Sequence, residues 1–228
     1  MATGEPGADR PVGTTGYGAA ADELAAQYEA VTFADVHREA LYLIPTRPCD
    51  VLDVGAGSGR DAAALAALGH RVVAAEPTAE LRRIGERLHA GSGVRWVDDA
   101  LPALPRLGAE GIRFDVVLLT AVWMHLPPDE RPSAMAALAG LLAPAGRLFL
   151  SVRHGPVPPD RRMYDAPADE TLALARAHGL HPLLHTERPD LHGRTDVHWT
   201  VLVLAADGPP PARPLSSRSR RCSAGADR

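Results

Sequence analysis

Two rhythms of apolar residues run through this chain, and their order predicts its fold. Residues 19–43 read as helical: Leu24, Tyr28, Val31 and Leu41 recur on one face, Asp22 and Glu23 stand near the start, and Pro45 and Pro48 end the segment. Short apolar runs then alternate with helical stretches. Strands are predicted over residues 50–54, 71–75, 94–97, 114–120 and 147–152. Helices are predicted over residues 58–68, closed by Gly69, then 78–90, and then 129–142, ended by a turn at Pro144-Ala145-Gly146. The run FDVVLLT, Phe114 to Thr120, is apolar nearly throughout, as a parallel strand buried on both faces requires. After a Pro-rich loop over 155–160, a helix near 168–178 and two strands, 183–187 and 197–204, complete the pattern. Strands alternating with helices and then a closing antiparallel pair predict an α/β fold. Its sheet is doubly wound, seven-stranded and mostly parallel, with an antiparallel edge strand and helices on both faces.

The flanks carry no such rhythm. Residues 1–16 are polar and rich in Gly and Pro and are expected to form a disordered leader. From Ala206 the chain is rich in Pro, Ser and Arg and is expected to be a disordered tail, leaving one domain over 17–205. Arg218, Arg220 and Arg221 cluster in that tail, where solvation explains them better than an acidic partner.

Composition narrows the function classes. The chain has 228 residues, 46% hydrophobic and 23% charged, enough for one substantial α/β core. A net charge of −4 provides no basic field for nucleic acid or an anionic membrane. All 24 basic residues are arginine, which reads as GC-rich coding bias of the kind found in high-GC bacteria. Without lysine there is neither a Schiff-base lysine nor a P-loop lysine. The two cysteines, Cys49 and Cys222, have no metal-type spacing and imply no disulfide framework. Neither a signal-peptide pattern nor a membrane-length apolar run is present, so a cytoplasmic protein without a bound metal is expected.

The chemistry concentrates after the first strand, where VLDV leads into Gly55-Ala56-Gly57-Ser58-Gly59 and a helix begins. Glycine permits a tight turn and close approach of a ligand to the backbone, at the end of the sheet where open α/β folds bind ligands. A dinucleotide fingerprint spaces its glycines G-x-G-x-x-G, but here the spacing is G-x-G-x-G and Arg60 stands at the third dinucleotide position. Asp53, two residues before the first glycine, opposes a pyrophosphate and suits a cationic ligand carrying an amino group. Glu76 ends the second strand, where an acid can accept hydrogen bonds from both hydroxyls of a ribose. A helix-terminal acid that complements the dipole is the plain alternative.

The segment VLDVGAGSGRDAAALAALGHRVVAAEPTAEL resembles the first two motifs of the class I S-adenosylmethionine-dependent methyltransferases, with likeness extending from about Tyr17 to Leu204. The resemblance implies a Rossmann-like fold and S-adenosyl-L-methionine as cofactor. It places Asp53 at the amino-acid end of that cofactor, Gly55, Ala56 and Gly57 against its methionine and ribose portions, and Glu76 with Pro77 at the ribose. Asp99 with Ala100 resembles the Asp-Ala motif at the adenine, with Asp98 as the alternative register. Thr120 to Trp123 would leave the sheet beneath the transferring methyl, with Thr120 on the cofactor and Trp123 on the acceptor.

His125 follows as a candidate general base for an acceptor that loses a proton, with packing as its plain alternative. Arg153 and His154, at the end of the fifth strand, are candidate acceptor contacts. His198 and Trp199, on the last strand, read as packing residues. The N-terminal helix, with Tyr17, Tyr28, Phe33 and His37, stands where the family builds a lid, and Tyr17 is a further acceptor candidate. The element Asn/Asp-Pro-Pro-Tyr/Phe of many nucleic-acid and protein amide N-methylases is replaced here by TAVW. A small-molecule acceptor is therefore expected, with no nucleic acid or membrane partner. Two other classes stay open: a nicotinamide-dependent oxidoreductase, and a non-catalytic S-adenosylmethionine-binding interaction module.

Overall fold

A computed structural model describes residue 14 and residues 16–208. The expected leader and tail, with Cys222 and the tail arginines, fall almost wholly outside the described residues. The elements in chain order are α1 (Ala21–Glu29), α2 (Phe33–Val36), β1 (Asp50–Val54), α3 (Arg60–Ala67), β2 (Arg71–Ala75), α4 (Ala79–Leu88), β3 (Arg95–Val97), α5 (Pro105–Glu110), β4 (Phe114–Thr120), α6 (Arg131–Leu141), β5 (Leu142–His154), α7 (Ala168–Ala177), β6 (Leu180–Pro189) and β7 (His198–Ala206). Seven strands form one sheet in the order β3-β2-β1-β4-β5-β7-β6. The first five are parallel. β7 runs antiparallel between β5 and β6, so the closing antiparallel pair turns inward and leaves β6 at the edge.

Strand alternation divides the core into two layers. Leu52, Val54, Val117, Leu119, Leu148 and Leu150 pack with α5, α6 and α7 on one face. Val51, Val116, Leu118 and Phe149 pack with α2 and α3 on the other. A side-chain period of two requires this when both faces are covered. A third cluster joins Leu24 of α1 to Leu81 and Ile84 of α4 and anchors the N-terminal segment beside the carboxyl ends of the strands.

Three departures from the expected elements have local causes. The predicted helix over 19–43 breaks, because Thr32 takes extended geometry (ψ 155°) and its hydroxyl accepts the backbone N–H of Asp35, capping a new helix, α2. The turn at Pro144-Ala145-Gly146 is a bulge inside β5. The strand pairs through Leu142 with Phe114 and resumes at Arg147 opposite Val116, with Ala145 at φ +61° in between. α5 was not expected. Its Pro105 occupies the first turn, where the missing N–H costs nothing.

Arg131 of α6 is fully buried. Its guanidinium donates to the carbonyls of Leu126 (3.2 Å) and Asp165 (2.7 Å) and to both carboxylate oxygens of Glu170 (3.1 Å each). It therefore ties the segment after β4 to α7. Arg131→Met removes all four of these bonds from a fully buried position and is expected to cost about 2–4 kcal/mol, read as a lower urea midpoint at unchanged m-value. No helix among the described residues is long and apolar enough to cross a membrane.

Candidate functional site

The carboxyl ends of β1, β2, β4 and β5 open into a cleft of about 240 Å³. Its floor is the glycine loop. The N–H groups of Gly55 and Ala56 donate to the carbonyl of Ala75 at 2.8 and 3.1 Å, which pins the loop to the end of β2. Gly55 has φ +69°, and a Cβ there would stand 2.5 Å from the Val122 side chain, so this turn needs glycine on both counts. Glu76 crosses from β2 beneath the loop. Its two carboxylate oxygens accept the N–H groups of Gly57 and Thr78, each at 2.8 Å. Burial pushes its carboxyl up, and those two hydrogen bonds oppose the shift.

Two carboxylates sit behind the loop in opposite states. Asp61 accepts hydrogen bonds from His37 Nε2 (2.9 Å), Arg60 Nε (2.7 Å) and Thr120 Oγ1 (2.8 Å). Burial alone would raise its carboxyl, but the His37 and Arg60 contacts outweigh burial and hold it well below the usual carboxylate range. Asp53 is equally buried, and its Oδ2 has no hydrogen-bond partner. Burial first, then the negative charge of Asp61, push Asp53 well above the usual range, against the pull of Arg60. Their surroundings thus pull in opposite directions, favouring the ionised form of Asp61 and the neutral form of Asp53. A buried carboxyl with an orphan oxygen is a preformed receptor for a cationic donor.

At the adjacent strand end the structure separates the two candidate aspartates. Asp99 is buried and lines the cleft. Its oxygens accept the N–H groups of Ala100 (3.0 Å) and Leu107 (2.9 Å), which also caps the first turn of α5. Asp98 is exposed and pairs with Arg82 at 3.2 Å, outside the cleft.

Across the cleft stands His125. Its Nδ1 lies 2.7 Å from the Arg162 carbonyl, which can only accept, so Nδ1 carries the proton. Nε2 therefore presents a lone pair, and the Tyr17 hydroxyl donates to it at 2.9 Å. Burial pushes the imidazole below the ordinary histidine value, and the nearby Arg161 charge adds to that, against the Arg162 hydrogen bond. His125 is thus a neutral base at pH 7. Tyr28 lies beside Tyr17, and its ring edge rests 3.2 Å from where a Gly57 Cβ would be.

The structure brings the expected residues together with two exceptions. Asp53, Gly55, Ala56, Gly57, Glu76, Pro77, Asp99, Ala100 and Thr120 all line the cleft, as do His125, Tyr17 and Arg153. Trp123 does not: it is fully buried in the core with its indole N–H on the Thr171 hydroxyl at 2.9 Å. His154 does not either. It bonds Thr200 Oγ1 at 2.8 Å and stacks on His198, on the strand face opposite Arg153. Both are corrections to the expected acceptor contacts. The N-terminal cover divides the same way, since Tyr17 and Tyr28 face the cleft while Phe33 packs on the sheet and His37 serves Asp61. Sequence reasoning missed Asp61, Arg161, Arg188, Asp190 and Arg194, all of which line the cleft. Only Asp61 had a signal, as the acid one residue after Arg60. No cluster of three or more His, Cys, Asp or Glu side chains among the described residues is arranged to hold a metal.

Comparison with known proteins agrees with this geometry. A family profile described as a methyltransferase domain matches residues 51–146, which contain the glycine loop, Glu76, Asp99 and His125. The chain is similar to an uncharacterised methyltransferase of Mycobacterium bovis, 33% identical over 132 residues, covering 54% of this chain and 64% of that protein. It is also similar to a ubiquinone biosynthesis O-methyltransferase of Xylella fastidiosa, 39% identical over 110 residues, covering 47% of this chain and 43% of that one. The chain thus spans less than two thirds of the length of these relatives. Among solved structures, the Burkholderia thailandensis 1,6-didemethyltoxoflavin-N1-methyltransferase with bound 1,6-didemethyltoxoflavin and S-adenosylhomocysteine superposes at a TM-score of 0.57. It is 26% identical, with 88% of this chain and 93% of that one covered.

Proposed function

We propose that this chain, which matches a methyltransferase domain over residues 51–146, is a class I S-adenosylmethionine-dependent methyltransferase that transfers a methyl group from S-adenosyl-L-methionine to a small-molecule acceptor. The observation that carries the proposal is the buried Asp53 with its orphan Oδ2 behind the glycine loop. S-adenosylmethionine brings an α-ammonium and a sulfonium and no phosphate, and an ammonium supplies the donor that Asp53 lacks. The residues present fit the rest of the molecule. Glu76 spends one lone pair of each oxygen on Gly57 and Thr78 and keeps others for ribose hydroxyls, with Pro77 beside it. Asp99 and Ala100 would meet the adenine, and Thr120, bonded to Asp61, lines the cleft beside it.

When bound, S-adenosylmethionine supplies an activated methyl that moves by in-line displacement, so the protein contributes mainly alignment and exclusion of water. Tyr17 and Tyr28 cover the cleft for this purpose. Where the acceptor atom bears a proton, His125 Nε2 receives it, the acceptor taking the place of the Tyr17 hydroxyl, and the Nδ1 bond to the Arg162 carbonyl keeps the tautomer correct. We place the enzyme in the cytoplasm, where a free thiol such as Cys49 stays reduced, and assign it no nucleic-acid partner. A metabolite extract incubated with methyl-labelled cofactor should yield a labelled small molecule, identified by mass. Label confined to macromolecules would contradict the proposal.

A further inference from the structure

The cleft is electrically polarised. Asp53, Asp61, Glu76 and Asp99 line the end formed by β1, β2 and β3, whereas arginines line the end under β5 and the β6–β7 connection. Arg194 in that wall is neutralised by Asp190, through bonds of 2.9 and 2.7 Å. Three others have no hydrogen-bonded carboxylate among the described residues. Arg153, at the end of β5, makes one 3.5 Å contact to the Gly155 carbonyl. Arg161, from the loop over 155–167, lies over the Tyr17 ring at 5.1 Å. Arg188, near the end of β6, is only 7% exposed, and its Nε has no hydrogen-bond partner. The nearest carboxylate oxygen to that Nε, on Glu39, is 4.0 Å away, beyond hydrogen-bond reach. Its Nη1 donates to the Pro189 carbonyl at 3.2 Å, and its plane lies over Trp199.

A buried guanidinium left short of acceptors is costly. Burial depresses the proton affinity of Arg188 despite the opposing pull of Glu39 and Asp190, and burial together with the Arg194 charge depresses that of Arg153. An anion relieves that cost. The guanidinium fork matches a carboxylate or a phosphate in bidentate fashion. Met163, Leu191 and Trp199 line the same end and offer apolar surface for the body of such a molecule.

We propose that the methyl acceptor is a small organic anion whose acidic head is held by Arg188, Arg153 and Arg161 at the end of the cleft away from the glycine loop. The inference rests on the methyltransferase reading, since it assigns that reaction its substrate class. The test is a calorimetric titration of the protein saturated with S-adenosylhomocysteine. The probes are benzoate, 4-hydroxybenzoate and phenyl phosphate, each tested beside the neutral methyl benzoate and methyl 4-hydroxybenzoate. At least one acid should bind about tenfold or more tighter than the esters, and carboxylate against phosphate preference identifies the head group. Arg153→Gln and Arg188→Gln should each weaken that acid by about tenfold or more, while affinity for S-adenosylhomocysteine stays within about threefold. If Arg188→Gln fails to fold, Arg153→Gln, at a less buried position, carries the test alone. Acids and esters binding alike, no acid binding at millimolar concentration, or no loss in Arg153→Gln would overturn the proposal. Loss of S-adenosylhomocysteine affinity in the arginine variants would also overturn it, by placing them on the cofactor's own carboxylate. Repeating the acid titrations on the free protein judges the arginine site even if S-adenosylhomocysteine does not bind, a result that defeats the cofactor reading by itself.

Discussion

Asp53→Asn should fold normally and lose about 2–4 kcal/mol of S-adenosylhomocysteine binding, or about 30- to 1,000-fold in Kd. Burial and the neighbouring Asp61 charge favour the neutral form of the Asp53 carboxyl in the free protein, so a neutral amide of the same shape replaces it with little strain. Binding is different, because an ammonium against Oδ2 needs an ionised partner in a site away from water. Binding should therefore expel the Asp53 proton. The sign follows directly: affinity rises with pH while free Asp53 is still protonated and levels off once it is ionised. The Asn variant should show a flat profile over the same range. Titrations at several pH values read both effects, and a wild-type profile as flat as the variant's would remove Asp53 from the ammonium contact.

His125→Ala should lower kcat by about 100- to 1,000-fold for an acceptor that must lose a proton, with S-adenosylhomocysteine affinity within about twofold of wild type. The side chain lies across the cleft from the glycine loop, so removing it spares the cofactor contacts. Its proton affinity is depressed by burial, so the neutral base is lost only on the acid side. In wild type kcat/KM should fall as pH drops below the ordinary histidine value and stay level above it, and the variant should lose that limb. Unchanged turnover in His125→Ala would make His125 a packing residue held by Tyr17 and the Arg162 carbonyl.

What could be read in advance depended on how local the determinant was. β1, β2 and β4 stood out because parallel strands buried on both faces need unbroken apolar runs, and such runs are visible one element at a time. The glycine loop, Asp53 and Glu76 were legible for a similar reason, since their spacing alone places them at adjacent strand ends. α5 was hidden because LPALPRLGAE carries two prolines, and only its register after Asp99 puts Pro105 at a tolerated position. Trp123 was misplaced because nothing local says which way a short turn after β4 aims its side chains, and the Thr171 hydroxyl that receives its indole comes from α7. The Arg153–His154 pair held an overlooked clue. Neighbours on a strand face opposite sides, so one of the two had to leave the cleft. Arg188 offered no sequence signal, because its role exists only once the edge strand β6 is folded beside β7 and Trp199.

The central claim is that the Asp53 end of this cleft receives S-adenosylmethionine. Calorimetric titration of wild-type protein with S-adenosylhomocysteine, in two buffers of different ionisation enthalpy, tests it most directly. Saturable one-to-one binding accompanied by net proton release is expected, with no heat from NAD. Binding of NAD with no response to S-adenosylhomocysteine would contradict it.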